Sequence, residues 1–124
     1  MSSLITNYTG NYVWNQLIYS SAGTKVKVAL HTANPGVLGS SANEVSGGSY
    51  ERQLTTWSVP SSKTIANTRE IVFDDMPDCT VSHIALWTND VSPQCVAVIE
   101  LASPISVDDG KSLKIPANNL AFSL

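Results

Sequence analysis

The sequence predicts a mainly β fold: a β-sandwich or jelly-roll-like single domain with one short N-terminal helix. Three observations carry this. Turn signals built from Pro, Gly, Asn and Asp recur about every ten residues, the spacing of a sandwich or barrel of short strands. Between those turns apolar and polar residues alternate, the period of a strand with one buried face. Only the start of the chain departs from that rhythm, with apolar side chains about four residues apart, as on one face of a helix.

Leu4, Tyr8, Tyr12, Val13 and Leu17 form that helical face, and Trp14 and Ile18 widen it. Ser2 and Ser3 stand where a helix cap belongs. Gly10 weakens the helix by about 1 kcal/mol relative to Ala. Ser20 to Gly23 end it, so residues 1–22 are expected to be helix and 24–124 sandwich. Val26, Val28 and Leu30 then alternate with Lys25, Lys27 and Ala29 as a strand. Ala33-Asn34-Pro35-Gly36 is a turn, because Pro fixes φ and Gly permits positive φ. The small, polar stretch 37–49 reads as a long surface loop. Tyr50 to Trp57 alternates as a strand until Pro60-Ser61-Ser62-Lys63 breaks it, and Ile71 with Phe73 marks another. Cys79 to Thr88 is the strongest strand, with Val81, His83, Ala85 and Trp87 on one face and Ile84 and Leu86 on the other. Asn89 to Pro93 turns it into a hairpin with Gln94 to Leu101, and Pro104 interrupts. Asp108-Asp109-Gly110 is a second hairpin turn, and Ser112 to Ile115 and Leu120 to Leu124 finish a single domain spanning 1–124.

Apolar residues make up 43% of the chain, enough for a core that needs no staple. Charged residues make up only 14%, so the polar surface is drawn from Ser, Thr, Asn and Gln. The net charge is −3 and the Lys and Arg residues are scattered singly. Nucleic-acid binding needs a clustered basic footprint, so it is not expected. No run approaches the ~20 apolar residues of a membrane span. Met1 to Ile5 lacks the charged start and long apolar run of a secretory signal. Synthesis in a cytoplasm is therefore expected, where Cys79 and Cys95 stay reduced. The sequon Asn7-Tyr8-Thr9 is then coincidental.

The residue types that carry chemistry form no catalytic or metal-binding pattern. In the hairpin around Val91, Cys95 should face the region of Trp87 and Cys79 the region of Ser103. That separates the sulfurs by roughly 25 Å, far beyond disulfide reach, and predicts two free, mostly buried thiols. There is no C-x-x-C, and His31 and His83 lack ligand spacing, so no metal or cofactor is expected. His83 reads as a hydrogen-bonded core or interface residue, and His31 as a loop-facing polar one. No G-x-S-x-G elbow is present. Asp74, Asp75 and Asp78 lack the alternation of a calcium loop and read as a solvated turn. Trp87 reads as core, whereas Trp57, ending a strand near Pro60, is the tryptophan open to a ligand-platform role.

Several ordered segments resemble a known family. Val28-Ala29-Leu30-His31-Thr32-Ala33-Asn34-Pro35-Gly36 resembles the V-A-L-F-T-A-x-P-G segment of small bacteriophage virion proteins, which include tail fibre and head decoration-like proteins. Asn43 to Gln53 looks like their E-V-S-G-G-x-Y-x-R segment, Ile71-Val72-Phe73 like an I-x-F strand, and Thr80 to Trp87 like a T-V-T-H-x-G-L-F strand. The ending, through Asp109-Gly110 and Ile115-Pro116-Ala117 to Leu120, is similar too. His31 stands where the family usually has an aromatic.

The resemblance implies a non-enzymatic virion structural protein. The leading expectation is a capsid decoration or cement protein that bridges or stabilises capsid subunits. The alternatives are a tail or head fibre protein contributing to host attachment, or a glycan-binding β-sandwich module. The implied partners are copies of itself, as a homotrimer, the major capsid protein or other virion proteins, and a host surface glycan. Neither nucleic acid nor membrane is among them. Made in the host bacterial cytoplasm, the protein would end in the virion. Tyr8, Tyr12, Trp14, Tyr50, Arg52 and Trp57 are the candidate interface or ligand contacts. Gly47-Gly48 would lead into the Tyr50 strand, on which Tyr50 and Arg52 share a face.

Overall fold

The computed structural model describes residues 3–18 and 25–124. Helix α1 (Asn7–Ile18) is followed by β1 (Val26–His31), β2 (Thr64–Ala66), β3 (Ile71–Phe73), β4 (Cys79–Thr88), β5 (Cys95–Val107), β6 (Leu113–Ile115) and β7 (Ala121–Ser123). The strands form an antiparallel three-stranded sheet in the order β1-β4-β5 and two short antiparallel ladders, β2-β7 and β3-β6. The protein is thus a small, mainly β domain with one short helix, as its turn spacing and alternation predict.

One apolar core joins these parts. Val26, Val28 and Leu30 of β1 and Val81, Ile84 and Leu86 of β4 face it from the large sheet. Ile65, Ile71, Phe73, Leu113, Ile115 and Phe122 face it from the ladders, and Trp14 and Ile18 from the helix. Ala29, Ala85 and Trp87 pack on the opposite face of the large sheet, with Cys95 and Val98 beside them. Strict alternation would have put Val81 with His83, Ala85 and Trp87. A register shift between Val81 and His83 turns Val81 into the main core instead. Across that shift a single residue of β4, Ser82, stands against four of β5, Leu101 to Pro104; such an irregularity breaks the alternation, and a single sequence carries little sign of where that happens.

The helix begins later than expected and packs on another stripe. Thr6 caps it: its carbonyl accepts the Gly10 N–H at 2.9 Å, and its hydroxyl accepts the Thr9 N–H at 3.4 Å. Ser3 precedes the helix, while Ser2 and the expected stop at Ser20–Gly23 lie outside the described residues. Gly10, Trp14 and Ile18 are the buried stripe, and Tyr8 and Tyr12 face outward. The reason lies in the turn Ser61–Thr64, where Ser62 and Lys63 both have positive φ, 52° and 65°. This is the geometry of a tight two-residue hairpin turn. It thrusts Lys63 at the helix. A Cβ on Gly10 would stand 2.8 Å from Lys63 Cβ. The Trp14 indole N–H donates to the Lys63 carbonyl at 2.8 Å, and the Lys63 N–H donates to Asn11 Oδ1 at 2.8 Å. Gly10 is therefore the helix's contact point rather than only a weakness.

Other departures share a cause, the choice of pairing partner. Tyr50 to Trp57 is not a named strand; it joins its neighbours through isolated bridges, Val28 to Gln53 and Trp57 to Asn67, and through the Thr56 carbonyl, which accepts the Thr68 N–H at 2.9 Å. β2, missed in the sequence, is three residues long and gains its place from β7. β5 continues past Pro104 to Val107, so Cys79 pairs with Val107 rather than near Ser103. Cys95 pairs with Trp87 as expected, and both thiols are free and half-buried. Asp108–Gly110 does turn, with Gly110 at φ 81°, but β5 and β6 then part. The buried Met76 holds the turn instead, donating to the Lys111 carbonyl and accepting from the Gly110 N–H.

Candidate functional site

The loop 32–52 folds back along the β1 edge of the large sheet, with Val45 in the core and Arg52 over Trp87 on the outer face, and a polar clamp fastens it there. Two backbone hydrogen bonds start the closure: Thr32 N–H to the Asn43 carbonyl at 2.9 Å, and Val45 N–H to the Leu30 carbonyl at 3.0 Å. The side chains then lock. Arg52 binds Glu44 through two parallel bonds, Nε to Oε2 at 2.9 Å and Nη2 to Oε1 at 2.7 Å. Tyr50 donates its hydroxyl to Glu44 Oε2 at 2.7 Å and accepts the Leu30 N–H at 2.9 Å. The Arg52 guanidinium lies 4.3 Å above the Trp87 ring, a cation–π contact. His31, fully buried, bridges Asn43 Oδ1 at 2.8 Å and the Trp87 indole at 3.2 Å. An indole N–H can only donate, so His31 Nε2 accepts and Nδ1 carries the proton toward Asn43.

The charges support one another. Burial alone would raise the Glu44 carboxyl, but hydrogen bonds from Arg52 and Tyr50 and the charge of Arg52 outweigh it and hold Glu44 below the usual carboxylate range. Burial pushes the Tyr50 phenol well up, and the Glu44 carboxylate adds to that. The Glu44 hydrogen bond raises Arg52 further against its partial burial. Burial also raises both thiols, Cys79 and Cys95, which makes them poor nucleophiles.

In front of the clamp, the loop presents apolar side chains to solvent. Gly36 and Gly39, at φ 77° and 65°, bracket Val37 and Leu38, which are 104% and 95% exposed. Asn34 Oδ1 accepts the Gly36 N–H at 2.8 Å, and the Gly39 and Ser40 N–H groups donate to Gly36 and Pro35. The turn is therefore built, and its two aliphatic residues are its tip. Between this turn and β5 runs an open groove of about 350 Å³, lined by Asn34, Gly36, Val37 and Gly39 on one side and Cys95 to Val98 on the other. At the other end of the chain Leu4, Tyr8 and Tyr12 also stand in solvent.

A family model described as Podophage GP4 fiber I protein gp80 matches residues 3–123. The chain belongs to that family. The match makes the protein a fibre-type structural component of a phage virion, as the resemblance to small phage virion proteins implies at the level of the family, and it favours the fibre reading over capsid decoration. Among curated proteins no match was found. Within this fibre family member, His31 and Asn34 on one side and Asn43, Glu44, Tyr50 and Arg52 on the other meet in the clamp and its turn.

The candidate contacts divide by exposure. Tyr8 and Tyr12 are open, at 80% and 56%. Tyr50 and Arg52 belong to the clamp. Trp14 is buried under the helix, and Trp57, packed edge-on against Phe122, leaves no free face for a sugar to stack on. His31 faces the loop as expected but is sealed inside it. His83 is buried beside Ser82, 2.8 Å from its hydroxyl, while Glu100 Oε2 lies 3.9 Å away, beyond hydrogen-bond reach. The carboxylates of Asp74 and Asp75 each accept a serine hydroxyl, from Ser112 and Ser49. Sequence reasoning missed the tip Val37–Leu38. Its signal was present in two aliphatic residues between glycines.

Proposed function

We propose that the protein is a homo-oligomeric fibre subunit of a phage virion, a non-enzymatic part that acts through protein–protein contacts with its own copies and with neighbouring virion proteins. The observation that carries this reading is the Val37–Leu38 tip. Two large aliphatic side chains in full solvent, on a turn fixed by two positive-φ glycines and backed by a polar clamp, resemble a preorganised contact. Ordering the loop in the free subunit lowers the entropy lost on binding. Repetition of modest contacts by symmetry makes their sum large.

The test uses particles assembled without this protein, to which purified protein is added. Wild type is expected to bind. The double variant Val37→Ser, Leu38→Ser, whose fold is untouched because both side chains lie in water, is expected to bind at least tenfold more weakly. Equal binding of both proteins would remove the tip from the contact. A failure of wild type to bind particles or to self-associate would end the fibre-subunit reading. Position of the bound label on the particle separates a fibre from a capsid decoration.

A further inference from the structure

His31 is a titratable side chain buried at the root of the clamp, and its ring is held from both sides by groups whose roles are fixed. On one side the Trp87 indole N–H donates to Nε2 at 3.2 Å. On the other, Nδ1–H donates to Asn43 Oδ1 at 2.8 Å. The donation continues outward. Asn43 Nδ2 donates to the Asn34 carbonyl at 3.1 Å, and Asn34 Oδ1 accepts the Gly36 N–H at 2.8 Å. Gly36 is the first of the two glycines that bracket Val37 and Leu38. One hydrogen-bonded line thus runs from the large sheet through His31 to the root of the exposed tip. Ala29 and Ala85, paired between the rungs of His31 and Trp87, are small enough to let the ring lie along the sheet toward the indole.

This line accepts only the neutral imidazole. An imidazolium carries a proton on both nitrogens. Its Nε2–H would point at the indole N–H, which can only donate, and a fully buried ring cannot turn to water. The Arg52 guanidinium already lies over the same indole, so a second cation would border it. The other ionisable groups around His31 do not relieve the conflict. Glu44 bridges to His31 from the loop and would attract the new charge, but both its oxygens are taken by Arg52 and Tyr50. Tyr50, whose phenol burial pushes up, stays neutral. From β4 the register partner of His31 is a second imidazole, His83, with Glu100 of β5 beyond it. Lys27 lies farther along the same face of β1, opposite Trp87. Cys95, whose thiol burial also pushes up, is neutral beside Trp87.

We propose that His31 is a proton-sensitive latch: a second proton on its ring breaks the line to Trp87 and Asn43, frees the loop 32–52 from the sheet and takes the Val37–Leu38 tip out of its fixed position. Protons then bind better to the open loop than to the closed one, so falling pH favours opening. An imidazole changes charge in the range from pH 8 to pH 5, which sets the window for the test. Glu44, in which the bonds from Arg52 and Tyr50 outweigh burial, keeps its charge through that window. The latch concerns the loop itself and goes beyond the reading of the tip as a contact. Where that reading holds, binding to particles weakens as the latch opens.

Hydrogen exchange of the loop amides, corrected for the intrinsic pH dependence of exchange, reads the latch. The N–H groups of Thr32, Gly36 and Val45, all bonded in the closed loop, are the reporters. Their protection in wild type is expected to fall by roughly tenfold or more between pH 8 and pH 5, while that of Ile84 and Leu86 in β4 holds. His31→Gln offers one donor and one acceptor but cannot gain a proton, so its loop protection should stay level over the same range. His83→Gln should respond as wild type does. Level protection in wild type overturns the latch whatever the particles bind, and so does a fall that persists in His31→Gln or vanishes in His83→Gln. Should His31→Gln not fold, the ring nitrogen shifts of wild type decide. His31 must gain its second proton over the pH interval in which loop protection falls, and separate intervals overturn the latch. Unchanged loop protection together with failed particle binding ends both readings, whereas a working latch without particle binding ends only the contact reading.

Discussion

At the scale of single residues, the clamp makes two outcomes calculable in sign. Glu44 has a folded-state value below its ordinary 4.5, because Arg52 and Tyr50 outweigh the effect of burial. Its contribution to stability is therefore fully present above that ordinary value and is lost as pH falls through the depressed one. Tyr50 is raised above its ordinary 10.0 by burial and by Glu44, so its contribution is present below pH 10.0 and lost as pH rises beyond it. Glu44→Gln is expected to cost about 2 kcal/mol at neutral pH, since it leaves Arg52 without its charged partner. It should also flatten the acid limb of a stability–pH curve measured by urea unfolding. An acid limb as steep in the variant as in wild type would show that other carboxylates set it. His31 gives the second outcome. Nitrogen chemical shifts of its ring should report the Nδ1–H form, because the Trp87 indole donates to Nε2. His31→Phe keeps an aromatic ring but orphans both Asn43 and the indole. It should cost about 1–3 kcal/mol, unless Trp87 finds another acceptor, which an unchanged midpoint would reveal.

At the scale of elements, helix α1 sets two effects of one substitution against each other. Gly10→Ala raises intrinsic helix propensity by about 1 kcal/mol. It also drives a methyl group into the Lys63 stem, 2.8 Å from its Cβ, at the place where two hydrogen bonds hold helix and turn together and a third ties Lys63 Nζ to the Ile5 carbonyl just before the helix. Overpacking a fitted contact costs about 1–3 kcal/mol, so the net change should be destabilising. Higher helix content in the isolated peptide with lower stability in the protein would be the signature, measured by circular dichroism and urea unfolding. The same element shows what a sequence hides. A period of four announced the helix, and the strand periods of β1, β3 and β4 were equally legible, because each is a local pattern. Which stripe of α1 is buried was decided by Lys63, far along the chain. Helical spacing alone gives Tyr8–Tyr12 and Gly10–Trp14–Ile18 equal standing. In the same way β2 is too short to show a period, and Val81 changed face at a bulge. The clamp was half legible. Tyr50 and Arg52 were placed on one face, but their shared partner, Glu44, needed the loop to fold back.

At the scale of the whole molecule, the last strand closes what the helix and β2 begin. β7 pairs with β2, and the Leu124 N–H donates to the same Lys63 carbonyl that accepts the Trp14 indole. Phe122, buried, packs edge-on against Trp57 beneath that junction. N-terminal helix, central hairpin turn and C-terminal strand thus share one small region of core, while the Arg52 and His31 contacts of the clamp reach Trp87 on the opposite face of the large sheet. Phe122→Ala removes an aromatic ring from the shared region and is expected to cost about 3–5 kcal/mol. A domain of this size holds about 5–15 kcal/mol in all, so the loss should lower the thermal midpoint by roughly 10 °C or more. If the molecule is one cooperative unit, helix signal and near-ultraviolet tryptophan signal should fall together at the new midpoint, because Trp14 and Trp57 both border the lost ring's neighbourhood. Two separated transitions would mean that helix, β2 and β7 open as a local unit while the clamped sheet stays folded. In that case the contact surface at Val37–Leu38 would survive damage at the chain's two ends, and the Phe122→Ala protein should still bind particles at temperatures above its first transition.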